Sequence, residues 1–581
     1  MPARTLDRPA DWWRSAVVYQ IYPRSFMDGD GDGIGDLPGI LRRLDHLAQL
    51  GVDVLWLSPV YASPMDDNGY DISDYQEVDP LFGSLADLDA VIDGCHERGI
   101  AVVMDLVVNH TSDEHAWFEE SRDPASPKRD WYWWRGAREG GGPPNNWQSF
   151  FSGSVWTLDE RSGEYYLHLF SRKQPDLNWE NPQVRGAVYA MMRWWVGRGV
   201  DGFRMDVINL ISKDPRLPDG PTPADGGLAP CIDMVANGPR LHEFLAEMNR
   251  EVGLGEHRLL SVGEMPGSTI VVARDATDPA RHELDMVFQF EHVSLDTVPG
   301  QSKWALADLP LPVLKKNLAA WQDGLAEVGW NSLYWNNHDQ PRAVSRFGDD
   351  RPEHRVASAK TLATVLHLHR GTPYVYQGEE LGMTNAGFTS ISDYRDVESL
   401  NYHADAVAHG VPEEQVLRSL AAKSRDNART PMQWDATDHA GFSTAAPWLP
   451  VNANHDRVNA AVELGDPDSV FHHYRRLIDL RHQNQVVVDG RFALLLADHD
   501  QLWVFTRTLA HEVLLVAANC SSEAAELEPD LLREVDGATV LLATHDPAPD
   551  GPARLAAWES RVYALRNPSI RASPEPHLSA T

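Results

Sequence analysis

Short apolar runs alternate with helix-like patterns from about residue 15 to residue 380, and this repetition limits what the chain can fold into. Eight runs read as buried strands, at 17–22, 52–59, 101–107, 200–207, 259–264, 286–290, 333–339 and 373–378. The segments between them carry helical signals. Leu37, Ile40, Leu41, Leu44, Leu47 and Leu50 recur at helical spacing and stop at Gly51, a helix-ending residue. A second helix is predicted to start at Ser84, whose hydroxyl can cap it, and to end at Gly99. Eight strand-helix units close more readily into a (β/α)8 TIM barrel than into an open sheet, so the fold class is α/β.

Asp206, Glu264 and Asp339 each stand at the far end of one of these runs. Charges are seldom left where apolar strands leave a core unless they are paired or used in chemistry. In a barrel the C-terminal rim is where such groups would converge.

The barrel is assigned to residues 1–109 and 182–490. A stretch rich in Trp, Gly and Pro at 110–181 is too long for an ordinary connection and reads as an insertion subdomain after the third strand. Within it, Trp131 to Trp134 are expected to pack the subdomain interior. Alternating runs at 491–567 read as a C-terminal antiparallel β-sandwich domain, and the polar end, 568–581, as a disordered tail.

The formal charge of -34 would repel phosphate backbones and anionic lipid, so no nucleic-acid or membrane partner is expected. The three cysteines, Cys95, Cys231 and Cys520, are scattered without metal or disulfide spacing, which suits a reducing cytoplasm. The chain has neither an apolar signal core nor a run long enough to span a bilayer. A monomer acting on a small neutral ligand is the expectation.

Four segments in order resemble the conserved regions of the α-amylase family of glycoside hydrolases: Asp-Leu-Val-Val-Asn-His at 105–110, Gly-Phe-Arg-Met-Asp at 202–206, Val-Gly-Glu at 262–264 and Asn-His-Asp at 337–339. A fifth, Gln-Pro-Asp-Leu-Asn at 174–178, resembles a motif of the oligo-1,6-glucosidase group. The resemblance implies Asp206 as nucleophile, Glu264 as general acid/base and Asp339 as the acid that binds sugar hydroxyls. Glycoside cleavage through an oxocarbenium-like state needs such carboxyls with divergent pKa values. Arg204 can hold Asp206 ionised from the same strand face. The resemblance also implies His110 and His338 as hydrogen-bonding partners of the terminal glucose and Tyr70 as an aromatic platform. Asp71 would meet Arg425 at the non-reducing end, making an exo-acting pocket instead of an open cleft. Phe170 is placed at the entrance.

Asp28-Gly-Asp-Gly-Asp-Gly-Ile-Gly-Asp36 spaces its acids like the front of an oxygen-ligand calcium loop, but Gly39 stands where an EF-hand carries Glu. It resembles the calcium loop of the same group, which implies Asp28, Asp30, Asp32 and Asp36 as side-chain ligands and Ile34 as a carbonyl ligand. The role would be structural.

In the family, valine after the nucleophile accompanies α-1,6 activity, and here that residue is Val207. The resemblance therefore implies an α-glucosidase acting on short oligosaccharides, with α-1,6 preferred and α-1,4 open. A glucosyltransferase or a sucrose- or trehalose-type isomerase on the same scaffold is the alternative. The chain lacks the Arg-Leu-Asp-Arg-Asp run of sucrose isomerases. Non-catalytic relatives lose the acids, whereas all three stand here.

Overall fold

The computed structural model describes residues 8–223, 226–545 and 551–566. The proposed 568–581 tail lies outside them. Eight parallel strands, β1 (Val18–Ile21), β2 (Val54–Leu57), β3 (Ala101–Val107), β4 (Gly202–Asp206), β5 (Leu260–Glu264), β6 (Met286–Phe288), β7 (Ser332–Leu333) and β8 (Thr372–Tyr376), pair in the order β6-β5-β4-β3-β2-β1-β8-β7. A parallel bridge between Val287 and Asn331 joins β6 to β7 and completes the ring. The strand side chains alternate as a closed barrel requires. Val18, Val54, Trp56, Val103, Leu260, Val262, Met286, Phe288 and Tyr374 fill the interior. Their neighbours Tyr19, Leu55, Val102, Phe203, Val287 and Val375 face the helices. Gly202 lies so close to β5 that an added Cβ would meet the Leu260 carbonyl oxygen at 2.2 Å.

The first two helices carry the signals read from the sequence. In α1 (Leu37–Leu50), Asp36 accepts from Gly39 N at the start and Gly51 takes the left-handed conformation at the end, φ 93°. In α2 (Leu85–Glu97), Ser84 and Asp87 form a reciprocal capping box. The seventh strand is shorter than the sequence reading. β7 ends at Leu333, so Asp339 is carried by the loop beyond it and does not close a strand. There Trp335 packs outward against the surrounding helix and donates to Leu362 O, and Asn337 Oδ1 accepts from Asp339 N at 2.8 Å.

The insertion holds a three-stranded antiparallel sheet, Trp134–Arg135, Trp156–Asp159 and Glu164–Leu167, with Trp133 and Trp134 buried beneath it. A second insert follows β8. Its helices α3 (Val397–Ala408) and α4 (Glu413–Lys423) pack a satellite core of Trp304, Phe388, Tyr394, Val416, Leu420 and Leu449.

At the C-terminal end, five antiparallel strands (Arg491–Leu495, Leu502–Leu509, Glu512–Asn519, Ser560–Leu565 and Thr539–Ala543) form one layer, and the Ala525–Glu526 and Arg554–Leu555 pair a second. The buried Lys315 ammonium ties this module to the barrel by donating to the carbonyls of Leu496, His499 and Leu502 at 2.6, 2.6 and 2.8 Å. Among the described residues no helix is long and apolar enough to cross a membrane.

Candidate active site

Asp206 and Glu264 are the last residues of β4 and β5, neighbouring strands, so their carboxyls emerge side by side at the rim. One guanidinium lies under both. Arg204 Nη1 is 2.8 Å from Asp206 and 2.8 Å from Asp105, and Nη2 is 2.6 Å from Glu264. Glu264 Oε2 also accepts from Val207 N at 3.0 Å. Burial, then the charge of Glu264, push the Asp206 carboxyl well above its ordinary range, while Arg204 opposes them. The Arg204 side chain is only 1% exposed, with three carboxylates on its two Nη atoms, so it backs the cavity and does not line it.

Asp339 lies between two arginines, 3.3 Å from Arg425 and 2.7 Å from Arg429. Although burial opposes it, His338 and these arginines hold its carboxyl far below the ordinary range. Arg425 continues to Asp67 at 3.0 Å and to Asp396 at 2.5 Å. The residue facing Arg425 is therefore Asp67, not Asp71. The Asp71 carboxylate is fully buried and used up inside its own loop, accepting from Asp66 N at 2.8 Å, Asp67 N at 3.1 Å and Ser63 Oγ at 3.0 Å. It organises the turn that presents Asp67. Burial raises the Asp67 pKa to about 6 against the opposing arginines.

Tyr70 and His110 line the cavity. Burial lowers the His110 pKa to about 4, which keeps the ring neutral at pH 7. The Tyr70 ring stacks on His338 with centroids 5.1 Å apart and 2° between planes, and its hydroxyl donates to Asp105 at 3.0 Å. His338 is wholly buried behind Tyr70, outside the cavity wall. Its Nδ1 faces the Gln20 amide nitrogen at 2.8 Å, and its Nε2 lies 3.3 Å from Asp339 without meeting it as a hydrogen bond. It stands next to Asp339, behind Tyr70, and is not among the residues that line the cavity, where the resemblance placed it against the sugar.

The cavity, of about 280 Å³, has apolar residues in its wall besides the charged ones. Phe150, Phe151 and Phe170 from the insertion form one side; Phe290 and Val293 beyond β6 and Val207 beyond β4 form the other. Val207 holds a left-handed φ of 36°, unusual for a β-branched residue, where β4 gives way to the loop.

In the acidic loop, carboxylate oxygens of Asp28, Asp30 and Asp36 lie within 4.8 Å of one another. Asp32 is outside this group; it is exposed, and its Oδ1 accepts from Ile34 N at 2.8 Å. Three converging hard-oxygen donors fit a calcium ion better than a transition metal.

The residues that sequence reasoning missed are Asp67, Gln174 as a wall residue, Phe150 and Phe151, and the group Asp396, Glu398 and Lys423 on the second insert. Gln174 donates to Asp67 at 3.2 Å and lines the cavity, and its motif was the available signal. Asp176 of the same motif pairs with buried Lys213 at 2.8 Å, anchoring the insertion to the loop after β4.

Residues 20–490 match the family model for the alpha amylase catalytic domain. The oligo-1,6-glucosidase of Parageobacillus thermoglucosidasius is 54% identical over 562 residues, covering 96% of this chain and 99% of the relative. Among solved structures, the trehalose-6-phosphate hydrolase of Bacillus licheniformis superposes with a TM-score of 0.90 at 47% identity, over 95% of this chain and 99% of that one. The isomaltulose synthase of Klebsiella sp. LX3 superposes with a TM-score of 0.90 at 39% identity, over 96% and 100%.

Proposed function

The chain belongs to the α-amylase family of glycoside hydrolases, and from that premise we propose that it is a retaining, exo-acting α-glucosidase. It removes terminal non-reducing glucose from short α-linked oligosaccharides, preferring α-1,6 links. One observation carries the exo reading: Arg425, held on the cavity wall by Asp67, Asp339 and Asp396, would close the end that receives the terminal sugar. Relatives named oligo-1,6-glucosidase at 54% identity and Val207 beside the nucleophile support the linkage.

In this reading the Asp206 carboxylate attacks the anomeric carbon while the Glu264 carboxylic acid protonates the departing oxygen. Glu264, now a carboxylate, then takes a proton from the water that releases glucose. A single guanidinium reaching both carboxyls keeps them close, which suits the roughly 5–5.5 Å spacing of retaining enzymes better than the wider spacing that admits a water.

The trehalose-6-phosphate hydrolase likeness raises a phosphorylated substrate as a second reading, because Lys303, Arg346 and Lys423 line the cavity. Lys303 pairs with Glu398, and Arg346 and Lys423 share the single Asp296 carboxylate, so two carboxylates offset most of this positive charge, which favours a neutral sugar. Turnover of isomaltose, maltose, sucrose, trehalose and trehalose 6-phosphate by the purified protein tests the choice. Isomaltose is expected to lead; preference for the phosphorylated sugar, or predominant isomerisation of sucrose, would sink the reading.

Asp28, Asp30 and Asp36 would hold calcium, which would neutralise converging carboxylates and brace the loop against the Phe442–Thr444 segment. The three unpaired cysteines are consistent with a cytoplasmic enzyme.

A further inference from the structure

Gln340 directly follows Asp339 and lines the cavity, yet only one end of its amide is engaged. Its Oε1 accepts from Arg346 Nη1 at 2.6 Å. Since guanidinium only donates, this contact fixes which end of the amide is oxygen. The opposite end, Nε2, has no hydrogen-bond partner among the described residues and is not sealed from the cavity.

Arg346 is itself immobilised. Its Nε and Nη2 reach the two carboxylate oxygens of Asp296 at 2.9 and 2.9 Å, and Nη2 also meets the Val293 carbonyl. Such a two-pronged pair fixes a guanidinium plane in a way a single contact cannot. Asp296 is shared with Lys423 of α4, and the three side chains are 12%, 4% and 6% exposed for Asp296, Arg346 and Lys423. The triad therefore links the segment after β6, the helix after Asp339 and the helix leading to Arg425. Phe290, Val293 and Gln340 stand beyond β6 and β7, whereas Asp67 and Tyr70 stand beyond β2 and His110 beyond β3, opposite positions in an eight-strand ring.

We propose that Asp296, acting through Arg346, locks the Gln340 amide with its N–H groups toward the aglycone, so that Gln340 selects leaving groups carrying oxygen acceptors, a second sugar above all. Gln340 is the contacting residue, and Asp296 and Arg346 are positioning residues. The inference rests on the glucosidase reading above and adds the chemistry of its leaving-group site.

The test compares kcat/KM for isomaltose with that for phenyl α-glucoside, whose ring offers no acceptor at the same place. Gln340→Ala should lower the isomaltose-to-phenyl ratio roughly tenfold, the scale of one lost hydrogen bond. Gln340→Glu still accepts from Arg346 but has no N–H, so it should lower the ratio similarly. Asp296→Asn should also lower it, and the double variant Asp296→Asn with Gln340→Ala should fall no further than Gln340→Ala alone. Losses that multiply in the double variant, or a ratio retained in Gln340→Glu, overturn the proposal. Proportional loss on both substrates also overturns it while leaving the glucosidase reading intact. A wild-type protein that turns over phenyl α-glucoside but not isomaltose would instead sink the substrate reading itself.

Discussion

Arg425 reaches Asp67 across 3.0 Å, so the acid that meets it on the cavity wall stands four residues before the one that the motif suggested. The two acids sit in one loop but do different work. Asp67→Asn should lower kcat/KM by about 10–100-fold, the scale of a charged hydrogen bond, with little change in melting temperature. Asp71→Asn should mainly lower the melting temperature, because it weakens the acceptor of three local hydrogen bonds. Kinetics and thermal melts of the two variants separate these roles, and a larger kinetic loss in Asp71→Asn would reverse the assignment.

Arg204 opposes the rise in the Asp206 pKa caused by burial and by Glu264. In the proposed mechanism Asp206 must be ionised to attack, so the acid limb of the kcat/KM profile should report that ionisation. Arg204→Lys retains a charge but cannot span both carboxyls. The acid limb should therefore move to higher pH as kcat falls. An unmoved limb with reduced kcat would mean that Arg204 serves geometry alone.

The strands bearing Asp206 and Glu264 were legible because short branched apolar runs ending in an acid have few other readings. The choice between Asp67 and Asp71 was not, since Asp66, Asp67 and Asp71 share one loop. The backbone decides it: Asn68 at φ 50° and Gly69 at φ 103° turn the chain so that Asp67 faces Arg425. The second insert was also hidden. Its helices cover a small satellite core and pack few of their side chains into the barrel, so their apolar pattern does not distinguish them from barrel helices. Val207 was legible as a residue, but its φ of 36° follows from the strand-to-loop transition and has no local sequence signal.

Calcium at Asp28, Asp30 and Asp36 would act on the loop and not on the sugar. Chelation should lower the melting temperature, and adding calcium back should restore it, with kcat at 25 °C little affected. Asp30→Ala should abolish that response. Because Asp28 and Asp36 already accept backbone N–H bonds in the loop, the fold should survive without the ion.

Glu379, just beyond β8, is 5% exposed and bonded by the Tyr474 hydroxyl at 2.7 Å. Burial is the largest influence on it and raises its pKa from 4.5 to about 8. The folded protein then binds more protons than the unfolded chain between those two pH values. Glu379 therefore costs no ionisation energy below about pH 4.5, and its unfavourable contribution grows as pH rises toward 8. Glu379→Gln is nearly isosteric and cannot ionise. Its melting temperature should lie near the wild type at pH 5 and exceed it at pH 8.5. A difference that is the same at both values would mean that the buried carboxyl does not titrate in this range.

Val207 tests how much of the linkage preference is local. Its side chain lines the cavity beside Asp206, while its backbone N–H donates to Glu264 in any variant. Replacing Val207 by Ala removes two methyl groups from the leaving-group side without removing that N–H. Apolar differences of this size discriminate substrates by about 1–3 kcal/mol. The ratio of kcat/KM for isomaltose to that for maltose should therefore fall by about 5-fold or more in Val207→Ala, chiefly through a gain on maltose. A lower kcat on both sugars with the ratio unchanged would place the preference elsewhere on the wall, with Phe290 and Val293 as the next candidates.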